Sequence, residues 1–334
     1  MRNPESSLNI GKKNEEEVLV YMGVVDAAWH RVPSHFMSRL RKIGMLSPTP
    51  VQQAVLPALM PRTPSEAALS DVPRAAIIQW PTGSGKTVAY AVPLLAGLDM
   101  KQCGVGTQGL IITPTRELCL QTLHMLQQLT DEGRPNKKGH GVKVMSLMGR
   151  MNAVMESELY HRPPDIAVGT PQMVARVFKD KMLPLAKQRS RVLVLDEVDM
   201  LMNDHFWPHM EDILGAHDRA PWKAGRLWAL SANAPRHATQ RFFQSAGIDE
   251  KPTELMSPEQ MPENVRHVAL HPPPGGWPYA ELPSSIKQML RAAYPAGVPY
   301  PRGIHKKNAP RALVFVDSAQ RAATLLSLFS EVRR

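Results

Sequence analysis

Cysteine is scarce in this chain and acidic residues are outnumbered by basic ones. Cys103 and Cys119 are the two cysteines in 334 residues, with no second pair and no histidine cluster beside them. That usage excludes a disulfide framework and argues against a zinc site. A reducing, intracellular compartment is expected, with cytoplasm, nucleus and mitochondrion not distinguished. No apolar run approaches the ~20 residues that a membrane helix requires, so no membrane partner is expected. Residues 1–17 carry neither the apolar core of a secretory signal nor an acid-poor, Arg-rich transit pattern. The twelve histidines show no metal-ligand spacing. What the chain does have is an excess of positive charge: forty Lys and Arg against thirty Asp and Glu, a formal +10. Such a balance favours a polyanionic partner, nucleic acid above all, with solubility as the plain alternative.

Between residues 75 and 233 short apolar runs recur, bounded by Gly, Pro or Asp: Ala75 to Trp80, Gly109 to Thr113, Val142 to Gly149, Asp165 to Gly169, Val192 to Leu195 and Arg226 to Leu230. Helical periodicity fills the intervals, as in Thr87 to Leu98 and Glu117 to Leu129. Buried parallel strands alternating with helices predict an open α/β sheet with helices on both faces, whose ligands sit at the carboxyl ends of the strands. The expected organisation is an N-terminal extension over 1–21, a first domain over 22–248, an exposed Pro-containing linker over 249–264, and the start of a second α/β domain over 265–334. In that last part His271 to Pro310 holds nine prolines, which predicts loop, before a strand at Ala312 to Val316 and a helix at Ser318 to Phe329.

The most specific motif is Thr82-Gly83-Ser84-Gly85-Lys86-Thr87, directly after one expected strand and opening a helix. Glycines let the backbone N–H groups turn inward on phosphate oxygens, Lys86 reaches the β- and γ-phosphates, and the Thr87 hydroxyl ligates Mg²⁺. Trp80 stands where the general pattern has its first glycine. The matching acidic pair follows the run Val192 to Leu195: Asp196-Glu197-Val198-Asp199. Carboxylates desolvated at a strand end cost several kcal/mol unless a cation or hydrogen bonds compensate them. Asp196 is therefore the expected Mg²⁺ residue, Glu197 the group that orients and deprotonates an attacking water, and Asp199 a tie to another motif.

These residues resemble the DEAD-box family of ATP-dependent RNA helicases, over roughly residues 29 to 318. The resemblance implies a RecA-like P-loop fold with an incomplete second RecA-like domain, ATP and Mg²⁺ as ligands, and RNA held by its backbone. Gly44 to Gln52 looks like the adenine-recognising Q motif, and the Gln52 carboxamide, one donor and one acceptor, matches the adenine edge. Trp29 is the implied stacking residue. Pro114-Thr115-Arg116 resembles the first RNA-backbone motif, Ser231-Ala232-Asn233 the motif coupling hydrolysis to domain closure, and Ala312 to Ser318 the first motif of the second domain.

Departures are specific. The family's paired glycines appear as Gly149-Arg150, and its Thr-Pro-Gly-Arg as Thr170-Pro171-Gln172-Met173, which removes a glycine and a phosphate-binding arginine. Asn233 replaces a threonine and Met45 an aromatic residue. Nothing after Ser318 resembles the later motifs, including the second-domain arginines that can be worth ~10³ to 10⁵ in phosphoryl-transfer rate. By itself this chain is expected to be inactive as a helicase. Three readings follow: an RNA-remodelling ATPase; a non-catalytic helicase-like factor in a ribonucleoprotein particle such as an assembling ribosome, mitochondrial ones included; and, with less support, a DNA-directed motor.

Overall fold

A computed structural model describes residues 31–61, 71–130, 141–186, 191–215, 222–233, 236–257 and 319–331. Two compact units divide the chain at Pro258 and Glu259. The second contributes one described element, helix α10 (Ala319–Glu331). Trp29, the strand expected at Ala312 to Val316 and the whole Pro-rich stretch from His271 to Pro310 lie outside the described residues.

The first unit opens with helices α1 (Ser34–Lys42) and α2 (Pro50–Leu59). Strand β1 (Ala75–Gln79) leads into α3 (Lys86–Ala96), β2 (Gly109–Ile112) into α4 (Arg116–Leu129), β3 (Val144–Leu147) into α5 (Ala153–His161), and β4 (Ile166–Gly169) into α6 (Pro171–Lys179). Then come β5 (Val192–Leu195), the short α7 (Val198–Leu201), α8 (Trp207–Leu214), β6 (Arg226–Ser231), α9 (Arg236–Ser245) and β7 (Thr253–Met256). The seven strands form one sheet in the order β3-β4-β2-β5-β6-β1-β7, and every recorded pairing is parallel. Each strand therefore delivers its carboxyl end to the same edge, where the glycine loop after β1 and the acidic turn after β5 stand.

Alternation along the strands sorts the core into two layers. Ala76, Ile78, Val192 and Val194 face one cluster, shared with α1 to α4, whereas Ala75, Ile77, Leu193 and Leu195 face the other, shared with α6 to α9. With both faces covered, the strands read as unbroken apolar runs. Helix α3 is buried from Val88 to Leu95, so its polar N-terminus is held by packing on every side.

One expectation changes. The linker expected over 249–264 begins instead as β7, whose Thr253 to Met256 pair in parallel with Ala76 to Gln79. Pro252 precedes that strand without interrupting it, since a strand entry needs no N–H. Met145 in β3, Met155 in α5, and Met148 and Met151 between them all pack against the core.

Gly169 shows how tightly the β3–β4 end is packed. A Cβ there would meet Val174 Cγ2 at 2.4 Å and the Leu147 carbonyl oxygen at 2.8 Å. Gly169→Ala is expected to destabilise the unit by about 1–3 kcal/mol through overpacking, measured as a lower denaturant midpoint with unchanged m-value. An unchanged midpoint would show that α6 yields at no cost.

Candidate nucleotide and nucleic-acid site

Strands β1 and β5 flank β6, so their ends lie two strand spacings apart, about 10 Å. From one end the chain enters residues 81–85, where Gly83 (φ +79°) and Gly85 (φ +98°) take left-handed backbone that side chains rarely adopt. A Cβ on Gly85 would also lie 2.8 Å from Gln52 Nε2 and 3.1 Å from Thr49 Oγ1. Gln52 itself is 1% exposed; its Oε1 accepts from Thr49 N at 3.1 Å and its Nε2 donates to the Gly85 carbonyl at 3.4 Å. The start of α2 is thereby stapled to the glycine loop, 33 residues away in sequence.

Lys86, 7% exposed, turns back into its own loop. Its ammonium donates to the Trp80 carbonyl at 2.9 Å and the Pro81 carbonyl at 3.3 Å, with Glu197 Oε1 3.9 Å away. Three polar side-chain atoms among the described residues are buried without a hydrogen-bond partner: Thr49 Oγ1, Trp80 Nε1 and Ser84 Oγ. All three belong to this loop or the segment stapled to it. An unsatisfied buried polar atom costs about 1–3 kcal/mol, and the first N–H groups of α3 add donors that no helix can satisfy internally. Two left-handed glycines, orphaned donors and a lysine make a cradle whose chemistry fits a polyphosphate.

From the other end, Asp196 is nearly buried, and both its oxygens are engaged. Oδ2 accepts from Tyr90 Oη at 3.2 Å and Oδ1 from the Glu197 N–H at 3.1 Å. Burial first, then the neighbouring Glu197 charge, pushes its carboxyl up to about 6, against the Tyr90 hydrogen bond and the Lys86 charge. The Tyr90 phenol, fully buried beside that carboxylate, is held well above its ordinary value. Glu197 is one of two non-glycine residues in the described chain with positive φ, at 54°. Strain of this kind, of order 1 kcal/mol or more, concentrates at functional sites. Asp199, in α7, accepts from Ser231 Oγ at 2.8 Å, Ser231 Oγ accepts from Asn233 N at 3.0 Å, and the Ser231 carbonyl accepts from Trp80 N at 3.1 Å. Ser231 therefore connects the acidic turn with the glycine loop; Ala232 is half-buried beside it.

Further along the same edge, Thr113 leads through buried Pro114 to Thr115, whose Oγ1 caps α4 by accepting from Leu118 N at 3.2 Å. Arg116 is exposed in the first turn of α4, and Gly149 (φ +80°) and Arg150 are exposed after β3. Thr170 precedes α6 and is 7% exposed. Met173 is 4% exposed in the core, so the position that resembles a phosphate-binding arginine is spent on packing, while Gln172 Nε2 lies 3.3 Å from His205 Nε2.

Sequence reasoning did not single out Tyr90, Thr49 or His205. Tyr90 stands four residues beyond Lys86 on one helix, a spacing that puts both on one face and that could have marked it as a partner for the acidic pair.

The raised Asp196 carboxyl has a definite sign. Its unfolded value is 3.8 and its folded value about 6, so the folded state holds the proton more tightly and stability falls as pH rises from about 4 to about 6. Ionisation across two units corresponds to roughly 3 kcal/mol. Without divalent cations, Asp196→Asn is expected to match wild type near pH 4 and to exceed it by roughly 1–3 kcal/mol at pH 8, read from denaturant unfolding. A difference that does not vary with pH would contradict the assignment.

The comparisons with known proteins agree with this geometry. A family model described as DEAD/DEAH box helicase matches residues 49–242. The chain is 30% identical over 217 residues to ATP-dependent RNA helicase dbp10 of Aspergillus clavatus, covering 65% of this chain and 20% of that protein. For ATP-dependent RNA helicase DBP10 of Chaetomium globosum the identity is 29% over 217 residues, covering 65% and 25%. The chain thus matches no more than a quarter of the length of these relatives. Among solved structures it is similar to a DEAD box protein from Methanococcus jannaschii (TM-score 0.50, 24% identity, 67% of this chain and 54% of that one). A second is S. cerevisiae Dbp5 bound to RNA and ADP BeF3 (TM-score 0.51, 18% identity, 68% and 50%). These likenesses establish the RecA-like fold that the resemblance implied, and the matched family model means that the chain belongs to the DEAD/DEAH box helicase family.

Proposed function

We propose that the seven-stranded unit is the ATP- and RNA-engaging motor domain of an RNA-dependent ATPase of the DEAD-box type. The observation that carries this reading is the clustering of the buried, unpartnered polar atoms Thr49 Oγ1, Trp80 Nε1 and Ser84 Oγ around a left-handed glycine loop that faces Asp196 and Glu197. The names of the matched relatives, and the RNA and ADP BeF3 held by one structural neighbour, support carrying both ligands over.

In this reading Lys86 leaves the Trp80 and Pro81 carbonyls to neutralise phosphate oxygens, and Gln52 reads the adenine edge beside Gly85. Thr87 and Asp196 would hold Mg²⁺, which when bound would supply charge neutralisation across the phosphates. Glu197, turned by its left-handed backbone, orients water and takes its proton. Ser231, bonded to Asp199, passes the state of the acidic turn to β6. Arg116, Gly149 and Thr170 line the RNA backbone edge, where contacts read shape and leave base identity unread. With Met173 in the core, that grip is weaker than the family pattern implies. A purely structural role in a ribonucleoprotein is less favoured, because it leaves the glycine loop and the strained Glu197 without a task.

ATP with Mg²⁺ is expected to raise the melting temperature, equivalent to about 2.7 kcal/mol at a hundredfold excess over Kd. Lys86→Ala is expected to lose that shift and Glu197→Gln to keep it while abolishing any RNA-stimulated phosphate release. No shift in the wild-type chain would overturn the nucleotide reading.

A further inference from the structure

We propose a second RNA-binding surface away from the strand-end edge, on the face that α1 shares with the C-terminal part of α4, with Arg41 and Lys42 as its phosphate contacts. No Asp or Glu occurs between Asp26 and Glu66, and none between Glu117 and Asp131. The first interval contains α1 and α2 and the second all of α4 beyond its first turn, where Glu117 stands, so the basic residues of α1 meet the C-terminal part of α4 with no carboxylate on either. Packing of α1 on α4 is fixed by buried Phe36 and Leu40 and by Arg39, whose guanidinium donates to the Leu129 carbonyl at the C-terminus of α4.

Arg39 meets the carbonyls of α4, and Arg31 donates to the Pro57 carbonyl at 2.7 Å. Arg41 and Lys42, in the last turn of α1, are exposed, and their side chains make no hydrogen bond or ion pair within the described residues. A favourable interaction with the dipole of α1 is worth only ~0.3–1 kcal/mol and leaves both head groups in water. Beyond the first turn the exposed residues of α4 are Gln121, His124, Gln128 and one apolar side chain, Leu120, and no Phe, Tyr or Trp is exposed on either helix. Protein-docking surfaces are enriched in exposed aromatics at their centre, whereas nucleic-acid surfaces are polar and positive. That contrast favours RNA over an acidic protein.

The placement extends the proposed RNA edge, and this inference rests on that reading for the path between them. Arg116 begins α4 at the strand-end edge, and fourteen residues of helix carry the surface about 20 Å further to Arg39. A strand leaving Arg116 along α4 arrives at Arg41 and Lys42.

The test measures binding of a long oligouridylate to the full chain as a function of salt, for wild type, Arg41→Gln/Lys42→Gln, the charge-retaining Arg41→Lys/Lys42→Arg, and Arg116→Gln. Loss of two phosphate contacts is expected to lower the log–log salt slope by about 1.4 and to weaken binding in the Gln variant, with the charge-retaining variant like wild type; equal melting temperatures verify the fold. If Arg116→Gln weakens binding and the α1 variants do not, the second surface is wrong and the edge reading stands. If only the α1 variant weakens it, the edge reading is the one that fails, and absence of any wild-type binding overturns both. Loss of affinity for polyglutamate but not for oligouridylate would reassign the face to an acidic protein and overturn the proposal.

Discussion

The buried ammonium of Lys86, shared between the Trp80 and Pro81 carbonyls and facing Glu197, is the contact on which the rest of the site depends. It closes the glycine loop on itself, keeps a cation out of water, and compensates the acidic turn across the sheet. The parallel strand order makes this possible, since β1 and β5 must end at one edge with a single strand between them. Everything else at that edge is arranged around the same pair of strand ends: Gln52 bonded to Gly85, Tyr90 to Asp196, and Ser231 to Asp199.

Much of this was legible because parallel strands covered on both faces must be apolar along their whole length. The runs at Ala75, Gly109 and Val192 therefore stood out, and the residues just past each run had to be the site. Helix starts were readable for a related reason: Thr115 and Thr170 each precede a helix at a strand end. The strand at Thr253 was not readable, because edge strands need little apolar character and this one is only partly buried between polar and Pro-containing segments. Tyr90 was hidden because a tyrosine in an apolar helix reads as core, and its hydroxyl acquires a meaning only when β5 brings Asp196 to it.

The departures from the family pattern divide into two kinds. Met173 takes the place of an exposed cation and is buried among the α6 and α8 contacts, so at that position packing has replaced a ligand contact. Arg150 does the reverse, putting an exposed cation where a small residue is usual. At the nucleotide end Trp80 and Met45 also depart from the pattern, while the glycines with left-handed backbone, Lys86 and Glu197 stand together.

The central claim is tested most directly by a crystal structure with a non-hydrolysable ATP analogue and Mg²⁺. The account predicts triphosphate within the turn at residues 82–87, Lys86 Nζ moved from the Trp80 carbonyl to a phosphate oxygen, and the metal ion between Thr87 and Asp196. A nucleotide bound elsewhere, or Lys86 still bonded to Trp80 with nucleotide present, would contradict it.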